Sequence, residues 1–274
     1  MQLAISNLAW DVRDDAAVAA LLQSLDVRGV ELAPTKVWPK PLDATPAEVR
    51  ACRRFWEDGG LRIVALQALL FGRPDLTLFD DARGRAATAE YLTGMIRLAE
   101  QLGATRLVFG SPKNRARGAL ALAEATEIAT EFFGQIGRQA RRRGVVFCVE
   151  PNPGDYQCDF ITNAAEGLAL VRKVNDAGFG LHLDAGGMAL GGDPPAFCTA
   201  HAAEVRHFHI SEPHLAPVGT GTTGHAGFGA ALRAGGYAGW VSIEMKPPAV
   251  DGLTVIRQSL ASALTCYRPS LPPA

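Results

Sequence analysis

The sequence predicts an α/β fold, a closed parallel (β/α)8 barrel. Eight short apolar or β-branched runs alternate along 274 residues with eight longer Ala/Leu/Glu/Arg-rich stretches. No two strands are joined by a hairpin signal. No linker rich in Pro, Gly or Ser interrupts the alternation before the C-terminal tail, and the length is that of one such barrel, about 250 residues. A doubly wound open sheet is the competing arrangement.

The elements follow in order. A strand over Leu3 to Ser6 precedes a helical pattern over Asp15 to Leu25, and Gly29 to Leu32 precedes Pro46 to Asp58, where Thr45 reads as N-cap and Pro46 as the first helical residue. Arg62 to Leu66 is followed by a helix from Gly84 to Leu102 that Gly103 closes, and Arg106 to Phe109 by a helix from Leu120 to Arg143 that Gly144 closes. Strands over Val145 to Glu150, Gly180 to Asp184, Val205 to Ile210 and Trp240 to Glu244 alternate with helices over Ala164 to Val174, Pro194 to Ala202, Phe228 to Ala234 and Thr254 to Tyr267. The barrel then occupies residues 1–267 as one domain. A tail from Arg268 to Ala274, with Pro269, Pro272 and Pro273, cannot continue the last helix and is expected to fray.

Composition narrows the function. With 27 basic against 28 acidic side chains, the chain lacks the basic surplus that nucleic acid or an anionic membrane would attract, and its 48% hydrophobic content excludes disorder. No apolar run approaches the roughly 20 residues of a membrane helix, and MQLAISNLAW lacks a signal peptide's basic start and apolar core, so a cytoplasmic protein is expected. The five cysteines are scattered without a CxxC pair, which suggests neither a disulfide framework nor a zinc knuckle.

In such a barrel the active site lies at the C-terminal ends of the strands. The fifth, sixth and eighth strands end in Glu150, Asp184 and Glu244, and His209 stands one residue from the end of the seventh. Strand alternation puts Cys148 with Glu150, His182 with Asp184, His207 with His209 and Ser242 with Glu244 on common faces. One such carboxylate alone is usually a solvated residue or a helix cap; four capable residues in consecutive units point to function. If these faces turn inward, three carboxylates and an imidazole converge on one rim, a mainly oxygen donor set suited to one divalent ion, Mn²⁺ first, with Mg²⁺ or Co²⁺ as alternatives.

The order Glu, Asp, His, Glu, carried by the strings VEPNP, GLHLDAGGM, FHISEP and WVSIEM, resembles the xylose isomerase-like TIM-barrel superfamily of sugar isomerases and epimerases. Tagatose and psicose 3-epimerases, hydroxypyruvate isomerase and inosose dehydratase belong to that group. The resemblance implies that Glu150, Asp184, His209 and Glu244 bind one metal ion and that Glu150 and Glu244 double as the acid/base pair. A metal-polarised carbonyl acidifies the neighbouring C–H and stabilises a cis-enediolate, which one carboxylate forms and the other quenches. Reprotonation from the opposite face gives epimerisation, return to the adjacent carbon gives aldose–ketose isomerisation, and loss of a hydroxyl gives a dehydratase. The 3-epimerases carry a His three residues after the strand-six Asp, a Glu six after the strand-five Glu and an Arg after strand seven. Here Gly187, Tyr156 and the loop SEPHLAPVG stand in those places, which implies a different substrate shell.

Other residues fall around the same rim. Asn152, Glu212 and His214 are candidate contacts to a small-molecule sugar, and Trp38 and Trp10 are candidate apolar walls. Lys36, Arg73, Lys113, Arg115 and Arg117, in loops after the early strands, suit an anionic sugar, a phosphate or a sugar acid. His182 and His207 read as core or supporting imidazoles. The string GTGTTG, Gly219 to Gly224, imitates a dinucleotide fingerprint, but Pro213 and Pro217 separate it from the preceding strand; a mobile lid is expected instead. A nuclease reading of the same superfamily, the endonuclease IV type, needs early histidines, and none precedes His182. A silent metal-binding barrel has no need of a carboxylate on each side of a substrate. A homo-oligomer, dimer or tetramer, is compatible with the sequence; no nucleic-acid or membrane partner is expected.

Overall fold

All eight apolar runs form strands in the computed structural model, which describes residues 1–268: β1 (Gln2–Ser6), β2 (Gly29–Leu32), β3 (Arg62–Leu66), β4 (Arg106–Phe109), β5 (Val146–Val149), β6 (Phe179–Asp184), β7 (Val205–Ile210) and β8 (Trp240–Ile243). Neighbours pair in parallel in chain order, and β8 returns to β1 through pairs from Gln2 with Trp240 to Ile5 with Ile243. The sheet is a closed barrel, not a doubly wound open sheet. Closure leaves no sheet edge to be protected. Apart from Arg268, which donates to the Asp26 carbonyl at 2.7 Å, the expected tail lies outside the described residues.

The helices are α1 (Asp15–Ser24), α2 (Pro34–Val37), α3 (Pro46–Asp58), α4 (Ala82–Leu102), α5 (Leu122–Arg142), α6 (Ala164–Val174), α7 (Ala185–Gly191), α8 (Ala196–His201), α9 (His225–Ala234) and α10 (Gly252–Tyr267). Helix α3 starts as its sequence dictates: Thr45 Oγ1 accepts from the Glu48 amide while the Glu48 carboxylate accepts from the Thr45 amide, a reciprocal capping box ahead of Pro46. Asp81 caps α4 two residues earlier than the periodicity suggests, and Gly103 closes it with φ near +80°. Two short helices escape the sequence pattern. In α7, the paired glycines Gly186 and Gly187 argue against a helix, yet Asp184 caps it and Gly192 closes it at φ +80°.

Between barrel and helices lies a continuous apolar layer. The ring of Phe133 from α5 packs edge-on against Phe109 of β4, at 5.6 Å between centroids, and stacks on Phe179 of β6 at 4.9 Å. The barrel interior is different. Buried polar side chains from β1, β2, β6, β7 and β8 occupy it, namely Ser6, Glu31, His182, His207, His209 and Ser242. A purely structural barrel would fill these layers with branched aliphatic residues.

Candidate functional site

Strands β5 and β8 stop one residue short of their expected ends, because after Glu150 and Glu244 the chain turns away over the rim. Both amides still belong to the ladder, Glu150 donating to the Phe109 carbonyl and Glu244 to that of Ile210, each at 3.0 Å. Those bonds fix where the two carboxylates emerge. In register between them, Asp184 of β6 pairs with His209 of β7. One ligand atom from each of Glu150, Asp184, His209 and Glu244 lies within 4.8 Å of the other three. The four side chains that the sequence singles out thus meet at one point.

Two of the four, Asp184 and His209, are held from behind. The Asp184 carboxylate accepts from Ser211 Oγ and from the Gly187 amide, both at 2.6 Å, so it caps α7 while its free lone pairs face the cluster. Glu150 extends over Gly110, where a side chain of any size would collide with its carboxylate. His209 Nε2 lies 3.2 and 3.0 Å from the two oxygens of Glu31, and its Nδ1 lies 3.3 Å from Glu244 without a hydrogen bond. Burial and the neighbouring Glu244 push Glu150 up to about 8 and Asp184 up to about 6. Burial opposes a charge on His209, yet Glu31 and Glu244 on its two sides hold it well above the ordinary imidazole value. His182 and His207 move the other way: burial keeps both rings neutral.

Three crowded carboxylates repel one another, and Nδ1 of His209 is buried without a hydrogen-bond partner. A divalent cation answers both features, and the oxygen-rich donor set is that of a hard ion. The residues fit the expected metal ion.

Above the cluster opens a cavity of about 450 Å³ lined by Ser111, Lys113, Asn152, Tyr156, His214 and Lys246 together with Glu150, Asp184 and Glu244. Size and position suit a small polar molecule.

The family model described as "Xylose isomerase-like TIM barrel" matches residues 19–265. The chain belongs to this family. Among curated proteins, the L-ribulose 3-epimerase of Mesorhizobium japonicum (strain LMG 29417 / CECT 9101 / MAFF 303099) is 29% identical over 117 residues, a stretch that spans 42% of this chain and 39% of that protein. Solved structures share the fold. The 3-keto-D-glucoside 4-epimerase of E. coli, in apo form, superposes with a TM-score of 0.81 at 19% identity over 97% of this chain and 100% of that one. A D-psicose 3-epimerase crystallised with D-fructose gives 0.79 at 19% over 97% and 99%, and an IolI protein with a bound zinc atom 0.79 at 16% over 97% and 98%.

Within this xylose isomerase-like barrel the remaining sequence candidates divide sharply. Asn152, His214 and Lys113 line the cavity. Arg115 donates to Asn152 Oδ1 at 3.1 Å, so the amide NH2 is what Asn152 can offer a ligand. The His214 amide donates to the Tyr156 hydroxyl at 3.0 Å.

Several expectations are corrected. Arg115 is fully buried, its guanidinium spent on the carbonyls of Phe109, Glu150, Phe160 and Ile161. Glu212 is buried as well and accepts from the amides of Gly219 and Thr223 at 3.1 Å and pairs with His225 at 3.2 Å. That carboxylate ties the GTGTTG segment to the end of β7, where a free lid was expected. Lys36 donates its ammonium to the carbonyls of Leu8 and Trp10, and Trp38 packs against the apolar layer; neither lines the cavity. Trp10 is also core, its Nε1 donating to Asp15 at 2.7 Å. Arg73 pairs with Asp75, and Arg117 donates to the Asp159 and Leu120 carbonyls.

Sequence reasoning missed Glu31, Ser211 and Lys246. A charge inside the apolar run GVEL was a usable signal for Glu31. Nothing local marks Ser211 or Lys246, which matter only through what folding brings beside them.

Proposed function

We propose that this protein is a divalent-metal-dependent epimerase or isomerase of a sugar or sugar derivative, with Glu150 and Glu244 as its acid/base pair and Mn²⁺ as the ion its donor set suits first. The observation that carries the reading is the meeting of Glu150, Asp184, His209 and Glu244 within 4.8 Å beneath the cavity. The sugar 3-epimerases among its relatives support the class of reaction. When bound, the ion would polarise the sugar carbonyl and acidify the adjacent C–H.

The chain supplies the proton transfers. Glu150 and Glu244 approach from strands separated by β6 and β7, so a sugar resting on the cluster has a carboxylate on each flank. One takes the carbon-bound proton, and the other returns a proton to the opposite face of the enediolate or to its neighbouring carbon. Asp184, held by Ser211 and the Gly187 amide, keeps one orientation and stays a ligand. Lys113 and Lys246, on the cavity wall, suit a substrate with a phosphate or carboxylate. The free cysteines favour the cytoplasm as its location.

The test is NMR detection of solvent deuterium entering a panel of ketoses, sugar phosphates and sugar acids with Mn²⁺ present. Exchange into at least one member is expected, with its loss by about 10²-fold or more in Glu150→Gln and in Glu244→Gln while both variants remain folded. Absence of exchange across the panel, or dehydration without exchange, overturns the proposal; full activity in either variant removes the acid/base assignment.

A further inference from the structure

Glu31 enters the barrel from β2, 178 residues before its partner His209, and has no solvent exposure. Burying a carboxylate costs several kcal/mol unless partners compensate it, so its place in an otherwise apolar strand calls for a reason. Its partners are imidazoles of β7: His209 Nε2 at 3.0 and 3.2 Å, and His207 Nε2 one layer deeper at 3.4 Å.

An ionised carboxylate only accepts hydrogen bonds, so the ring nitrogen that faces it carries the proton. In His209 that nitrogen is Nε2. A ligating imidazole is neutral, so with Nε2 protonated the other nitrogen, Nδ1, is the one that can give a lone pair to an ion, and it is the atom turned toward Glu244, buried and without a hydrogen bond. A free imidazole chooses between two tautomers and two ring flips; Glu31 selects the single combination that presents a lone pair to the carboxylate cluster.

We propose that Glu31 is a positioning residue for the metal centre, fixing the tautomer and orientation of His209 so that Nδ1 is its donor atom. The inference rests on the reading of Glu150, Asp184, His209 and Glu244 as ligands. It parallels the treatment of Asp184, which Ser211 and the Gly187 amide hold from behind. Carboxylate partners of this kind raise the basicity of a ligating imidazole, and their loss typically costs 10- to 100-fold in metal affinity. Glu31 thereby gives the first half of the chain a part in a centre whose ligands all come from the second half.

The experiment measures Mn²⁺ binding to the full chain by calorimetry, in the wild type and in Glu31→Gln, alongside ¹⁵N NMR of histidine-labelled wild type loaded with diamagnetic Mg²⁺ or Zn²⁺. Expected are one equivalent of ion in the wild type, an affinity about 10- to 100-fold weaker in Glu31→Gln, and the His209 proton on Nε2. Equal affinity in the variant overturns the proposal alone, as does a proton on Nδ1. A second equivalent of ion whose binding is lost in His182→Phe also overturns it, because His209 Nε2 would then serve an ion among the three imidazoles. No ion in the wild type overturns the reading of the centre, and the proposal with it. If Glu31→Gln fails to fold, the NMR result on the wild type decides.

Discussion

The two halves of the barrel are built from the same βα repeat, yet they treat their strand ends in opposite ways. Strands β5 to β8 deliver Glu150, Asp184, His209 and Glu244 to one point. Strands β1 to β4 end in residues that brace the scaffold: Asn7, just past β1, accepts from the Ala33 amide at 2.7 Å, and Gly110, just past β4, leaves room for Glu150. Most of their loop cations differ too, Lys113 after β4 being the exception that reaches the cavity. Lys36, Arg115 and Arg117 each spend their donors on backbone carbonyls, whereas Lys246, beyond β8, remains exposed beside the cavity. A cation near the rim is therefore no guide to ligand binding until the carbonyls around it have been counted. Loops that leave a strand irregularly expose carbonyls needing donors, and a nearby guanidinium is the cheapest supply.

The largest effect that would break this comparison is at Arg115. If it braces the β4 and β5 loops, Arg115→Leu leaves several buried carbonyls without donors and lowers stability by about 3 kcal/mol or more, read as a fall in the chemical-denaturation midpoint. Asn152 loses its hydrogen bond and the cavity wall loosens with it. A variant with unchanged stability and a raised KM would instead return Arg115 to the substrate, and the contrast between the halves would fail there.

A smaller effect concerns the carboxylate cluster of the second half. With the ion removed, Glu150 and Asp184 hold protons in the folded chain to higher pH than they would when unfolded, about 8 and about 6. A carboxyl whose folded value is raised contributes stability that is lost as pH rises through that value. A divalent ion held by the four proposed ligands would compete with these same protons. The stabilisation gained on adding Mn²⁺, taken as the difference in Tm with and without the ion, should thus grow between pH 6 and pH 8, by up to about 1.4 kcal/mol per pH unit for each proton displaced. Histidines remote from the cluster cancel in this difference. A gain independent of pH over that window would place the ion elsewhere.

How much of this could be read from the sequence follows the same division. The barrel and the four converging residues were legible because strand period and strand end are local properties: Asp184 and Glu244 announce themselves by position alone. Arg115 and Glu212 misled because burial is decided by distant chain, Phe160 and Ile161 for one and the loop from Gly219 to Thr223 for the other. Glu31 was visible only as an oddity, since its partner lies on the far side of the sequence. Helix α7 was hidden because its start depends on an Asp184 cap that the paired glycines outweigh in any propensity sum.

The smallest expected effect is also the one that separates the halves most cleanly. The Lys246 amide donates to the Leu215 carbonyl at 2.9 Å, which fixes its backbone at the rim of the cavity that Lys113 also lines. If the substrate is anionic, Lys246→Met should lower kcat/KM about 10-fold for a sugar phosphate or sugar acid, about the effect of one charge-assisted hydrogen bond, and leave a neutral ketose unaffected. Lys36→Met should do the reverse: a lower Tm, because the carbonyls of Leu8 and Trp10 lose their donor, with no discrimination between charged and neutral sugars. The pair is informative because both residues are lysines just beyond a strand end. Equal losses on neutral and anionic substrates in Lys246→Met would make it another brace, and the second half of the barrel would then read its substrate through the carboxylate cluster and uncharged donors such as Asn152 and Tyr156.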